Sequence, residues 1–124
     1  MRGADLLVKA LANAGVDTIF TLSGNQIMPI FDACIDAGIE VVHVRHEGAA
    51  VYMAEGYAQV TGRLGVALVT AAPGFGNAVG SIYMARMSES PVLLLSGDSP
   101  RGLDGRGAFQ ELDQVAVSKG VSKW

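Results

Sequence analysis

The sequence predicts an α/β fold of three layers, a parallel sheet with helices on both faces. Three observations predict it. The apolar period switches repeatedly between helix-like and strand-like spacing. Strand-like runs alternate with helix-length segments, as in successive βαβ units. The run from Val66 to Val69 is apolar at every position, as expected of a strand covered on both faces.

Each element has its own local reason. Leu6, Leu7, Ala10, Leu11 and Ala14 fall on one face of a first helix, which Gly15 can close. Thr18 to Leu22 is β-branched and aromatic and reads as the first strand. Ser23-Gly24-Asn25-Gln26 is turn-rich. Pro29 suits the first turn of a second helix, which carries Ile30, Phe31, Cys34 and Ile35 and stops at Gly38. Ile39 to Val44 is the second strand. Glu47 follows it, and then comes a helix with Ala50, Met53, Ala54, Tyr57 and Ala58 on one face, ended by Gly62. After the third strand, Pro73-Gly74-Phe75-Gly76-Asn77 reads as a loop, and a helix follows to about Glu89. Val92 to Leu95 is a fourth buried strand behind Pro91. Gly97 to Gly107 is a long polar loop, and Phe109 to Val117 a short helix. Val121 to Trp124 starts like a fifth strand, with Trp124 as a core residue. No helix follows that run. The reading is one domain over residues 1–124, cut short at its C-terminal end.

Composition narrows the function. Half of the 124 residues are hydrophobic and 17% are charged, which suits a packed core and not a disordered chain. The formal net charge is −3 and no Lys/Arg cluster interrupts the apolar pattern. A nucleic-acid or anionic-membrane partner is therefore not expected. Cys34 is the lone cysteine, so it reads as a small buried hydrophobe on a helix. No apolar run approaches the roughly 20 residues that span a bilayer. The N-terminus lacks the pattern of a signal peptide, and the expected compartment is the cytoplasm. His43 and His46 lie three positions apart, which puts them on opposite faces of an extended chain. No third ligand is in view, so no metal site is expected.

Ligands of open α/β sheets bind outside the carboxyl ends of the strands. The segments leaving those ends are Ser23–Gln26, Arg45–Gly48, Ala71–Asn77 and Ser96–Gly107. This gathers Asn25, Glu47, Asn77 and the Asp98 region on one edge. Spacing alone favours Glu47 as a helix N-terminal carboxylate, stabilised by the macrodipole, over a catalytic group. The Ala71–Asn77 segment has neither a P-loop lysine nor a G-x-G-x-x-G pattern. Its glycines let backbone approach a flat ligand or a partner chain.

Four blocks carry a resemblance. They are Gly3-Ala4-Asp5 through Gly15-Val16, Arg45-His46-Glu47 through Thr61-Gly62, Gly65 through Asn77, and Gly107-Ala108-Phe109-Gln110-Glu111. In this order, over essentially the whole chain, they resemble the N-terminal pyrimidine-binding domain of thiamine-diphosphate-dependent enzymes of the acetolactate-synthase type. The resemblance implies the flavodoxin-like thiamine-diphosphate-binding fold. It implies thiamine diphosphate as cofactor, with only its pyrimidine half held here. Glu47 would be catalytic, hydrogen-bonding the pyrimidine N1′ and exchanging a proton readily near neutral pH. A small 2-keto acid would lose CO₂ because the cofactor ring accepts the electrons. Pro73, Gly74 and Asn77 would contact the pyrimidine, and Gly24, Asn25, Phe109 and Gln110 would face the substrate. Magnesium and the diphosphate belong in the family to a second domain, contributed by the partner subunit. Its GDG motif is missing here, and Gly97-Asp98-Ser99 is not it. An FAD site, in members that have one, lies mostly in a further absent domain. The resemblance thus implies a chain inactive alone, working as a homo-oligomer or with a diphosphate-binding domain or subunit. In the family the helix from Gly48 to Thr61 and the helix after Asn77 build the dimer interface.

Two stretches depart from the pattern. Ser23-Gly24-Asn25 stands where the family has Pro-Gly-Gly, and Gly48 stands where glutamine usually follows the catalytic Glu. The implied function is a decarboxylase or carboligase of this type. The alternatives are an acyl-CoA lyase, a subunit of a split enzyme, or a non-catalytic assembly module. The fold alone also fits a flavodoxin-like or nucleotide-binding module.

Overall fold

The computed structural model of the chain describes residues 1–123. The elements follow one another as α1 (Gly3–Asn13), β1 (Thr18–Thr21), α2 (Met28–Ala37), β2 (Glu40–His43) and α3 (Glu47–Thr61). Then come β3 (Gly65–Val69), α4 (Pro73–Met87), β4 (Val92–Ser96) and a short α5 (Gln114–Ser118). All strand pairs are parallel, in the order β2-β1-β3-β4. Phe20 pairs with Val42 on one side and Ala67 on the other.

Alternation along each strand builds two cores. Ile19, Val66 and Leu68 pack with Val8 and Leu11 of α1 and with Ala33 and Cys34 of α2. Phe20, Ala67 and Val69 point the other way, onto Ala50, Val51 and Ala54 of α3 and Phe75 and Ala78 of α4. β3 is buried at all five positions because it lies inside the sheet with helices above and below. Gly38 and Gly62 end α2 and α3 in the left-handed conformation, where a Cβ would be strained.

The structure corrects several sequence expectations. In α1 the buried positions are Val8 and Leu11, while Leu6 is exposed. The helix packs on α2 as well as on the sheet residues Ile19, Val66 and Leu68, which rotates its buried stripe. Ile35 of α2 and Met53 of α3 are likewise exposed, and Val51 is buried instead. Pro73–Asn77 is not a loop but the start of α4. Proline is tolerated there because the first helical N–H groups have no intrahelical partner. β4 is half-buried, not buried, since it is an edge strand paired only to β3. The helix expected from Phe109 to Val117 is confined to Gln114–Ser118. It starts where the Asp113 carboxylate accepts the Ala116 N–H at 2.9 Å. The fifth strand is not formed at Val121–Ser122, which lie in a turn closed onto Ser118. Trp124 lies outside the described residues. Cys34 is buried, as expected of a small apolar residue. Among the described residues no helix is long and apolar enough to cross a membrane.

Candidate functional site at the carboxyl edge of the sheet

β1 and β3 are neighbours, yet the chain leaves β1 through α2 on one face and β3 through α4 on the other. The crevice between two such diverging connections is where open α/β sheets bind ligands. Its walls touch here. A Cβ on Gly24 would lie 2.4 Å from the Thr70 Cβ, so only glycine allows this approach. Thr70 Oγ1 donates to Gln26 Oε1 at 2.6 Å, and Gln26 Nε2 donates to Gln110 Oε1 at 2.9 Å. Gln114 Nε2 donates to the Gly97 carbonyl at 2.8 Å. The segment after β4 is thereby folded back over the sheet edge.

Glu47 is the first residue of α3. His46 stands before it in extended conformation, and its Nδ1 accepts the Gly48 N–H at 3.0 Å, capping the helix. The Glu47 side chain is turned inward and the residue is only 7% exposed. Its Oε2 accepts from Asn77 Nδ2 of α4 at 2.9 Å. Its Oε1 has no hydrogen-bond partner among the described residues. Gly74 keeps that oxygen clear: a Cβ there would stand 3.2 Å from Oε1 and 2.8 Å from Thr70 Cγ2. The departure at Gly48 has a physical reason in this chain. A Cβ would meet Ser81 Oγ at 2.9 Å and the Asn77 carbonyl oxygen at 3.3 Å, so glycine lets α3 and α4 close on each other. Just before α4, Ala72 takes φ +31° and ψ −87°, a conformation that strains an L-residue.

The predicted residues divide into two groups. Glu47, Gly74 and Asn77 form one contact set, with Pro73 exposed beside them in the first turn of α4. Gly24 and Gln110 belong to the crevice through Thr70 and Gln26, and Asn25 is exposed next to them. Phe109 is 82% exposed and belongs to neither set. Sequence reasoning did not single out Gln26 or Thr70 as site residues. Their link depends on β1 lying beside β3, which no local signal announces. His43 Nε2 and Ser23 Oγ lie 3.3 Å apart, while His46 faces its own helix, so the two histidines share no ligand position. No group of three His, Cys, Asp or Glu side chains suited to a metal occurs among the described residues. A cleft of about 790 Å³ lies elsewhere, between α4, the free edge of β4 and residues 118–123.

A sequence model described as thiamine pyrophosphate enzyme, N-terminal TPP binding domain, matches residues 1–117. The chain belongs to this family. As a thiamine pyrophosphate enzyme domain, it is 44% identical over 124 residues to the acetolactate synthase isozyme 3 large subunit of Escherichia coli (strain K12). That match covers 99% of this chain and 22% of that protein. It is 43% identical over 122 residues to 2-hydroxyacyl-CoA lyase 2 of Danio rerio, covering 98% of this chain and 20% of that one. The domain thus spans about a fifth of the length of the curated relatives it matches. The three-layer parallel architecture agrees with the family assignment.

Proposed function

We propose that the carboxyl edge of this domain holds the aminopyrimidine half of thiamine diphosphate, with Glu47 as the carboxylate that exchanges a proton with it. The complete enzyme would act on 2-keto acids as a decarboxylase or carboligase. The observation that carries this reading is Glu47 itself: a buried carboxylate with one oxygen held by Asn77 and the other unpartnered beside the bare backbone of Gly74. One oxygen is thus held in place while the other stays open to a ligand, the arrangement that proton exchange with a bound ring requires. A flat ring can approach Oε1 because Gly74 has no side chain.

Bound thiamine diphosphate supplies the carbon nucleophile and the electron sink for cleavage next to a carbonyl. The chain's residues do the rest. Glu47 takes or gives a proton at Oε1. Asn77 fixes the rotation of the carboxylate through Oε2. Pro73 and Gly74 present the first turn of α4 to the ring. Gly24, Asn25, Phe109 and Gln110 are assigned to the substrate side. Magnesium and the diphosphate fall to a second domain or subunit, so residues 1–124 are a single domain expected to be inactive alone. Tyr52, Met53 and Val60 of α3 and Tyr83, Met84 and Met87 of α4 are exposed. These apolar side chains support burial against that partner or a second copy. We assign the cytoplasm as compartment. A second reading, cleavage of a 2-hydroxyacyl-CoA, is favoured by the 43% identity to the Danio rerio lyase. It uses the same Glu47.

The test is a chimera in which residues 1–124 replace the matching segment of the Escherichia coli large subunit. It should bind thiamine diphosphate and release CO₂ from short 2-keto acids. Cleavage of 2-hydroxyacyl-CoA thioesters alone would select the second reading. A chimera that folds and assembles yet turns over neither substrate class would make the chain a non-catalytic assembly module.

A further inference from the structure

We propose that Glu111 is a positioning residue whose carboxylate clasps the 105–111 loop and thereby sets Gln110 at the mouth of the β1–β3 crevice. Its two oxygens accept three backbone N–H groups of its own loop. Oε1 takes the N–H of Gly105, and Oε2 takes those of Gly107 at 2.9 Å and Ala108 at 3.0 Å. The Ala108 carbonyl in turn accepts the Glu111 N–H at 3.1 Å, closing the turn around the carboxylate. Gly105 and Gly107 both have positive φ, which aims alternate N–H groups into one concavity.

This arrangement constrains the residue just before Glu111. Gln110 takes φ +61°, a conformation that a residue with a side chain keeps only where its surroundings impose it. The clasp holds the chain on one side of Gln110, and the Gln26 Nε2 bond to its Oε1 holds the side chain. Gln26 is itself bonded to Thr70 at the end of β3. The carboxylate is thus linked, through one fixed turn, to the crevice that Gly24 and Thr70 close. Phe109 is turned to solvent by the same turn. The N–H groups of Gly105 and Ala108 hold the Glu111 carboxyl below the usual carboxylate range, so the clasp is charged wherever the protein is folded near neutral pH.

Glutamine cannot replace this group. It has one acceptor oxygen where the carboxylate uses two, and its NH₂ would face backbone N–H donors. In the 124-residue chain, Glu111→Gln should speed amide exchange of Gly105, Gly107 and Ala108 by about tenfold or more, the scale of one lost hydrogen bond. It should also remove the nuclear Overhauser contact between the Gln26 and Gln110 side-chain amides, with the rest of the exchange map unchanged. The unsubstituted chain gives a check that needs no variant: those three amides should exchange more slowly than the amides of Phe109 and Gln110. The clasp is refuted if the three amides are unprotected in the unsubstituted chain or unchanged in the variant. Its positioning role is refuted if exchange rises while the Gln26–Gln110 contact persists.

The link to substrate rests on the proposed function. In the chimera, Glu111→Gln should raise KM for the 2-keto acid several-fold while proton exchange at the cofactor C2 keeps its rate. An unchanged KM overturns the link to substrate. A chimera that binds no thiamine diphosphate overturns the proposed function instead, and leaves the clasp to be judged by exchange alone.

Discussion

Replacing Glu47 by glutamine separates chemistry from stability. The amide has the size of the carboxylate, and its oxygen can still accept from Asn77 Nδ2, the one partner of Oε2. Its NH₂ then occupies the Oε1 position beside Gly74, where no Cβ intrudes. Packing should therefore change little, although the residue is only 7% exposed. What is lost in stability is a carboxylate at the N-terminus of α3, about 0.3–1 kcal/mol from the helix dipole. For a domain of this size that is a shift of roughly 1–6 °C in melting temperature. What is lost in chemistry is the proton itself. General acid–base groups contribute about 10²–10⁴-fold in rate, and glutamine cannot exchange a proton at this position. The assay is deuterium exchange at C2 of the bound cofactor in the chimeric enzyme, measured beside a thermal melt. The expected result is exchange slowed by about 10²–10⁴-fold with the melt shifted by a few degrees. An exchange rate equal to that of the unsubstituted enzyme would make Glu47 a helix-terminus carboxylate and nothing more, and the assignment of the site would fall with it.

Three other expectations concern the domain itself. Ala72→Gly should stabilise the chain by about 1 kcal/mol, because φ +31° strains a residue with a Cβ; an equal or lower midpoint in denaturant would refute the strain. At the amino edge, Arg63, then the Tyr57 and Thr18 hydroxyls, hold the Asp17 carboxyl down at about 2. A depressed folded value means that its contribution is present above the unfolded value of about 3.9 and is lost as pH falls toward 2. Melting temperature should fall more steeply between pH 4 and 2 in the unsubstituted chain than in Asp17→Asn, and parallel curves would remove Asp17 from the account. Sedimentation at high concentration should reveal dimers or larger species through the apolar faces of α3 and α4, which Met84→Glu should weaken; a monomer at every concentration would count against that interface.

The sequence by itself determined the layers. Period-two and helical apolar runs require strands and helices in alternation, and the unbroken run Val66–Val69 requires cover on both faces, which β3 has. The blocks around Glu47 and Asn77 also carried the family, because they are local in the chain. Local pattern failed where neighbours decide. It read Pro73–Asn77 as a loop from its proline and glycines, but the first turn of a helix against α3 tolerates both. It extended a helix from Phe109, where the Glu111 carboxylate competes for the loop's N–H groups. It put Met53 inside and overlooked Val51, since the crossing of α3 on α4 and the sheet chooses which stripe is buried. Only the tertiary structure placed β1 beside β3, joined Gln26 to Thr70 and Gln110, and set Asn77 on Glu47 across 30 residues of chain. Those contacts depend on strand order, and strand order is a balance of packing over the whole sheet that no window of sequence contains.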